Sequence, residues 1–326
     1  MTQFQHQEAS QLRRRRHRAT AAWIVWGLMI GGLVFAWVPA QSVRGQDALE
    51  APAVRIDQLD ADTLKHAWRP LFRGVDHLAL AAETPRRLRG QALRIDLTTP
   101  GLSFVVSPSN GERPLEADSV TTSAFLAAEG LDAAINCAPF GPVVNDSGVP
   151  QDIVGLAIRE GMVISPPDPA YDALVLDRSN HARIVSQQAL IEGGEQGLEG
   201  IWTACGGFKI ILKAGEILPG DDPVHPRSAV GVSQDGQFLI LLAIDGRQPL
   251  HSMGAMQRET ADWLRKLGAW DGLNLDGGGS TSLVVRDNKG AARILNRPIH
   301  QGKPGLERPC PNHLGLKVSP RERQSP

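Results

Sequence analysis

Apolar positions along this chain fall into three patterns, and each predicts a different kind of element. The first is alternation. Leu93, Ile95 and Leu97, with Arg94 and Asp96 between them, put apolar side chains on one face of a strand, and residues 102–106 follow suit after Pro100-Gly101. Residues 132–136, 153–158, 162–165, 229–232, 238–244, 273–275, 283–285 and 293–295 read as further strands. Turn signals link several of them: Glu160-Gly161, Ser179-Asn180 inside a hairpin over 173–185, Asp235-Gly236, and Asn288-Lys289-Gly290. The second pattern is helical spacing. Met256, Trp263, Leu264 and Leu267 predict a helix over 256–267 that Gly268 ends. Ser119 or Thr121 caps another through Glu129, with Phe125 and Leu126 on its buried side and Gly130 as the stop. Strands outnumber helices and there is no internal repeat. The expected fold is therefore α+β, a mixed, strand-rich sheet with a few packed helices in a single globular domain.

The third pattern is an unbroken apolar run. Residues 19–38 carry no charge and have about the length of a bilayer-spanning helix. A basic block, Arg13-Arg14-Arg15-Arg16-His17-Arg18, precedes them and directs the N-terminus to the cytoplasm, so the remainder is exported. Two readings stay open: a signal peptide cleaved near Val38-Pro39-Ala40, or an uncleaved anchor. A signal core spans roughly 7–15 residues, and this longer run favours the anchor. The chain then divides into a basic tail (1–18), an anchor or signal peptide (19–40), a polar linker (41–67), a globular domain (68–318) and a polar tail (319–326). The domain is placed on the periplasmic or extracellular face, anchored in the inner membrane.

Charge narrows the partners. Lys plus Arg number 34 against 35 Asp plus Glu, so no global field favours nucleic acid. The three cysteines, Cys137, Cys205 and Cys310, would meet an oxidising compartment. One disulfide with one free thiol and three buried thiols both fit. No Cys-x-x-Cys spacing exists, which argues against a cysteine zinc site.

Candidate chemistry gathers at strand ends. Asn274-Leu275-Asp276-Gly277-Gly278-Gly279-Ser280-Thr281 ends a strand in an acid and three glycines. Without Cβ atoms the backbone can approach a ligand, and successive N–H groups form a concavity that suits an anion. Alone, the triplet equally suits a tight turn at a sheet corner. It lacks the lysine of a phosphate-binding P-loop. His225-Pro226-Arg227 places a guanidinium just before a strand, where it can clasp phosphate or carboxylate. Asp245-Gly246-Arg247-Gln248 and Ile135-Asn136-Cys137 deliver more polar groups at strand ends, as a cleft over a sheet edge requires. No His-x-x-x-His pair occurs, so neither a metal nor a cofactor is expected. The oxygens of Asp245, Asn274 and Asp276 would still suit a hard divalent cation.

These segments, in this order, resemble the phosphodiester glycosidase family over residues 68–317. Trp68-Arg69-Pro70-Leu71-Phe72-Arg73-Gly74-Val75 matches the start of its domain, and Ala134-Ile135-Asn136 its Ala-Ile-Asn strand. His225-Pro226-Arg227-Ser228-Ala229-Val230-Gly231, Asp245-Gly246-Arg247-Gln248 and the 274–281 signature complete the match. The chain departs from the family at Cys137-Ala138-Pro139-Phe140 and at Gly206-Gly207-Phe208-Lys209-Ile210. The resemblance implies hydrolysis of a sugar-1-phosphodiester or related glycosidic bond outside the cytoplasm. A phosphate-ester leaving group is already acidic. It needs charge stabilisation more than the carboxylic-acid proton of ordinary glycosidases. Asp276 is the first candidate to activate water or stabilise an oxocarbenium-like centre, Asp245 the second, and Arg227 the candidate for the departing phosphate. Asn136, Lys209, Arg247, Asn274, Gly277, Gly278, Gly279, Ser280 and Thr281 are the candidate binding residues for a sugar-phosphate or glycan. Ser280 as a nucleophile lacks the Gly-x-Ser-x-Gly elbow. The competing class is a non-catalytic envelope module that binds phosphorylated glycan or glycolipid.

Overall fold

Leu239 to Ile244 are apolar at every position because both faces of their strand, Phe238–Ile244, are covered. In the computed structural model, which describes residues 52–220 and 223–319, this strand lies inside a nine-stranded sheet. The order across that sheet is Val54–Arg55, Val75–Ala82, Leu88–Asp96, Phe238–Ile244, Arg227–Val232, Asp271–Asn274, Lys209–Lys213 and Glu216–Ile217, with Arg69–Phe72 paired beside Val75–Ala82. Its pairings are antiparallel except that Val54–Arg55 runs parallel to its neighbour, so the sheet is mixed.

Two five-stranded sheets share a core with one face of this sheet. One contains Leu102–Val106, Ala133–Asn136, Leu283–Arg286, Ala292–Ile294 and His313–Val318; the other Ala157–Arg159, Met162–Ser165, Asp172–Leu176, Ala182–Ser186 and Thr203–Gly207. Leu93, Ile95 and Leu241 meet Ile135, Leu314 and Leu174 in that core. Each fully buried Leu or Ile contributes roughly 1.5–3 kcal/mol.

The outer faces are closed by helices. Gln257–Lys266 lays Trp263 and Leu264 against Ala229, Ile240 and Leu242. Gly90 makes room for it, since a Cβ there would stand 2.7 Å from the Trp263 ring. Thr122–Glu129 packs Phe125 and Leu126 on Ala134 and Val284. Thr121 caps this helix by accepting from Ala124 N–H, and Gly130, at φ +61, ends it.

The α+β expectation holds, but one sheet becomes three principal ones. Three local expectations also change. Residues 54–67, read as linker, instead contain a strand of the large sheet and the helix Ala61–Ala67, capped by Asp60. The strand expected over 153–158 splits into Pro150–Ile153 and Ala157–Arg159, which belong to different sheets. Gly155, at φ +86, turns the chain between them. The expected hairpin turns are present, with Asn180 and Gly236 in left-handed conformations. The apolar run over 19–38 lies outside the described residues. Among the described residues no helix is long and apolar enough to cross a membrane.

Candidate functional site

The glycine turn is stitched to both neighbouring sheets. Leu275 N–H donates to Ser228 O at 2.9 Å, Asp276 N–H to Cys137 O at 2.7 Å, and Gly278 N–H to Pro226 O at 2.9 Å. Asn136, fully buried, is the central staple. Its Nδ2 donates to Asp276 O at 2.6 Å, while its Oδ1 accepts from Ser228 Oγ at 2.6 Å and Ser282 N–H at 3.1 Å. It therefore holds three segments together, and its polar atoms are spent on protein.

The space of the missing Cβ atoms explains the triplet. A Cβ on Gly277 would stand 2.6 Å from Pro226 O, a backbone atom that cannot yield. On Gly278 it would stand 3.0 Å from Arg247 Nη2, at a residue already at φ +63. On Gly279 it would stand 3.2 Å from His300 Nδ1 and 3.3 Å from Arg308 Cδ. The turn is bare so that two guanidinium-bearing side chains and an imidazole can lie against it.

Arg308 is the residue that closes the site. Its Nη2 donates to Asp276 Oδ2 at 2.9 Å, its Nε donates to Ser280 Oγ at 2.9 Å, and its guanidinium lies 5.3 Å from the Phe140 ring centroid. The side chains of Arg308 and Asp276 are only 16% and 14% exposed, so water screens this ion pair weakly. Among the described residues Arg308 Nη1 has no hydrogen-bond partner. Burial pushes the Asp276 carboxyl above the usual carboxylate range, and the charge of Arg308 with contacts from Ser280 and Gly277 opposes that rise. Glu307, also buried, anchors the same segment by accepting from Ser282 Oγ at 2.6 Å and from Ser123 N–H and Oγ.

Arg247 stands at φ +58, a left-handed backbone that costs about 1–3 kcal/mol for a non-glycine residue. This places its exposed guanidinium over Gly278, with Nη2 3.3 Å from His225 Nδ1. Burial lowers the pKa of His225, and Arg247 lowers it further; burial and Arg308 do the same for His300. Both rings are thereby biased to neutrality. His300 Nε2 donates to Asn145 Oδ1 at 3.1 Å, which leaves the unprotonated Nδ1 beside Gly279.

The remaining sequence candidates take other places. Asp245 is fully occupied: Oδ1 accepts from Asn296 Nδ2 at 3.0 Å and Arg297 N–H at 2.8 Å, and Oδ2 pairs with His251 Nε2 at 2.8 Å. Arg227 is buried and donates to Ala255 O and Pro223 O, groups outside the glycine turn. Burial, then the nearby Arg247, pushes its guanidinium down to about 10, and Glu259 opposes them. Its guanidinium thus meets carbonyls on the side of the sheet that holds Ala255 and Glu259. The groups against the turn are Arg247 and Arg308. Asn274 and Thr281 are buried, with Asn274 Oδ1 and Thr281 Oγ1 lacking partners. Lys209 is exposed in register with Asn274. All three cysteines are buried free thiols, so the alternative with a disulfide is not the one observed. Among the described residues no group of three or more His, Cys, Asp or Glu is placed to hold a metal ion.

Sequence reading missed Arg308 and Glu307, and did not number His300 or Phe140, placed only near the cleft, among the site residues. Arg308 lies in Glu307-Arg308-Pro309-Cys310-Pro311, a segment with no periodicity, and joins Asp276 across 32 positions.

The chain matches the family model described as phosphodiester glycosidase over residues 129–317, more than half its length. No curated protein sequence matches it. Among solved structures, a hypothetical protein from Synechocystis aligns with a TM-score of 0.57 at 14% identity, covering 77% of this chain and 63% of that one. This chain thus spans less than two thirds of that protein's length. The zebrafish N-acetylglucosamine-1-phosphodiester α-N-acetylglucosaminidase catalytic domain, auto-inhibited by its pro-peptide, aligns at 0.55 with 16% identity, covering 74% of this chain and 82% of that one. At such identities these likenesses speak for the fold, while the match over 129–317 carries the assignment: the chain belongs to the phosphodiester glycosidase family.

Proposed function

We propose that this domain hydrolyses a sugar-1-phosphodiester outside the cytoplasm, with residues 19–38 as its membrane anchor. The observation that carries the reading is the packing of Arg247 and Arg308 against a turn without Cβ atoms, beside a weakly exposed carboxylate. Phosphodiester anions need donors that are already oriented, because then no reorganisation is required as charge develops. Arg308 Nη1 and the Arg247 guanidinium are such donors, whereas the N–H groups of Asp276, Gly278 and Ser280 already donate to backbone carbonyls. The departing phosphate needs no proton, so a single carboxylate suffices where ordinary glycosidases use two. Asp276 fills that role, as a base toward water or as the counter-charge to the oxocarbenium-like centre. Arg308 favours its ionised form against the pull of burial. Asp245, with both oxygens engaged, orients His251, the Asn296 side-chain amide and the Arg297 N–H instead. The glycosidase activity in the zebrafish protein's name supports the same substrate class for this chain.

Purified full-length protein, incubated with a panel of sugar-1-phosphodiesters, should release free sugar. Asp276→Asn and Arg308→Ala should each lower kcat by on the order of a hundredfold or more; Arg308→Ala should also lower the melting temperature, because it strands the weakly exposed Asp276 carboxylate. Normal turnover by Asp276→Asn would remove the assignment. Saturable binding with no product from the parent protein would instead favour a glycan-phosphate binding module.

A further inference from the structure

Three loops around the glycine turn form one collar. Residues 141–149 and 297–306 meet where His300 donates to Asn145, and residues 246–254 join them where Gln248 Nε2 donates to Arg297 O at 2.8 Å. Two of these loops also touch the turn itself, through Arg247 at Gly278 and His300 at Gly279. Each loop bares a large apolar side chain. Leu250 is 92% exposed and Val143 58%, and Met253 and Leu306 are also open to solvent. Cations stand among them: Arg297 and Lys303 are exposed, and Arg87, paired with Glu83, donates to Leu250 O at 2.9 Å. Single exposed apolar side chains are ordinary, but here four of them, Val143, Leu250, Met253 and Leu306, sit on three adjoining loops beside the glycine turn. Apolar tips interspersed with cations are what binds the headgroup region of a bilayer. The sequence outside the structure points the same way, because residues 19–38 are an uncharged run long enough to span a bilayer. Residues 39–53 could reach roughly 50 Å when extended.

We infer that the mouth of the site docks on an anionic lipid surface, with Leu250, Val143 and Leu306 among the headgroups and Arg87, Arg297 and Lys303 against lipid phosphates. The substrate is then lipid-borne, with its phosphodiester presented at headgroup depth to Arg247 and Arg308. That consequence rests on the hydrolase reading; the docking does not.

The test uses full-length protein reconstituted in vesicles, labelled with an environment-sensitive fluorophore at Leu250→Cys, Val143→Cys or, as a control, Gln234→Cys. Gln234 lies in the turn after Arg227–Val232, at the opposite strand end from Arg227. The native thiols are buried and should not label. In vesicles with anionic lipid, probes at 250 and 143 should shift to the blue and gain intensity, while the probe at 234 should not. Vesicles of zwitterionic lipid alone, or added salt, should weaken the response. Lys303→Gln should lower the ratio of immersed to aqueous probe about fivefold. Probes at 250 and 143 that behave like the probe at 234 would overturn the docking. Because no turnover is measured, that failure would leave the hydrolase reading untouched.

Discussion

Acidification should destabilise this protein through a histidine that takes no part in the chemistry. His313 is fully buried, its ring stacked on Phe125 with centroids 5.0 Å apart. Its Nδ1 lies 2.9 Å from Ser107 Oγ and its Nε2 3.2 Å from Cys310 Sγ. Burial pushes the imidazole down from 6.5 to about 3. The folded state therefore keeps the ring neutral while the unfolded chain takes up a proton. Stability is complete above the unfolded pKa of 6.5 and is lost as pH falls from there toward about 3. At about pH 5 the loss is one and a half pH units' worth, about 2 kcal/mol, rising to about 5 kcal/mol near pH 3. Against a typical total of about 5–15 kcal/mol, that is a large share. Urea unfolding followed by tryptophan fluorescence at about pH 7.5 and about pH 5 should show this difference in the parent, and His313→Gln should lack most of it. His225 and His300, also depressed by burial, act in the same direction but remain in the variant, so the subtraction isolates His313. An identical pH dependence in parent and variant would refute the reasoning. If His313→Gln fails to fold, His313→Asn provides the comparison.

Two further outcomes are expected. Gly277→Ala should destabilise more than Gly278→Ala, because its Cβ meets a backbone oxygen at 2.6 Å whereas that of Gly278 meets the movable end of Arg247. Melting curves should separate them, with Gly278→Ala costing about 1 kcal/mol for its left-handed backbone and losing hydrolysis as Arg247 is displaced. Mass spectrometry after alkylation should count no modified thiol in the native protein and all three after denaturation without reductant.

Much of the fold was legible because its signals are local. The alternation at 93–97, the helical spacing at 256–267 and the Asp235-Gly236 turn each decide their element within a few residues. The linker reading failed at 54–67 because a two-residue strand and a short helix carry too little apolar surface to announce themselves. They are ordered by pairing with Val75–Ala82 and by packing on the large sheet. The split at Gly155 depends on which sheet each half joins, a long-range choice invisible in the apolar pattern. At the site, the acid and the glycines were legible from their spacing, but the identity of the facing cation was not. Arg227 stands nearest to a strand with a suggestive sequence, yet its side chain meets Ala255 O and Pro223 O. Arg308 arrives from an irregular segment, and only the tertiary fold places it on Asp276 and Ser280.

The account depends on the bare turn being an anion seat to which Arg247 and Arg308 bring the donors. A crystal structure of the protein soaked with a sugar 1-phosphate tests this most directly. The phosphorus should lie over Gly277–Gly279, with its oxygens within hydrogen-bond reach of Arg308 Nη1 and the Arg247 guanidinium, and with the anomeric carbon toward Asp276. A phosphate seated elsewhere, with both guanidiniums left in contact only with protein, would contradict it.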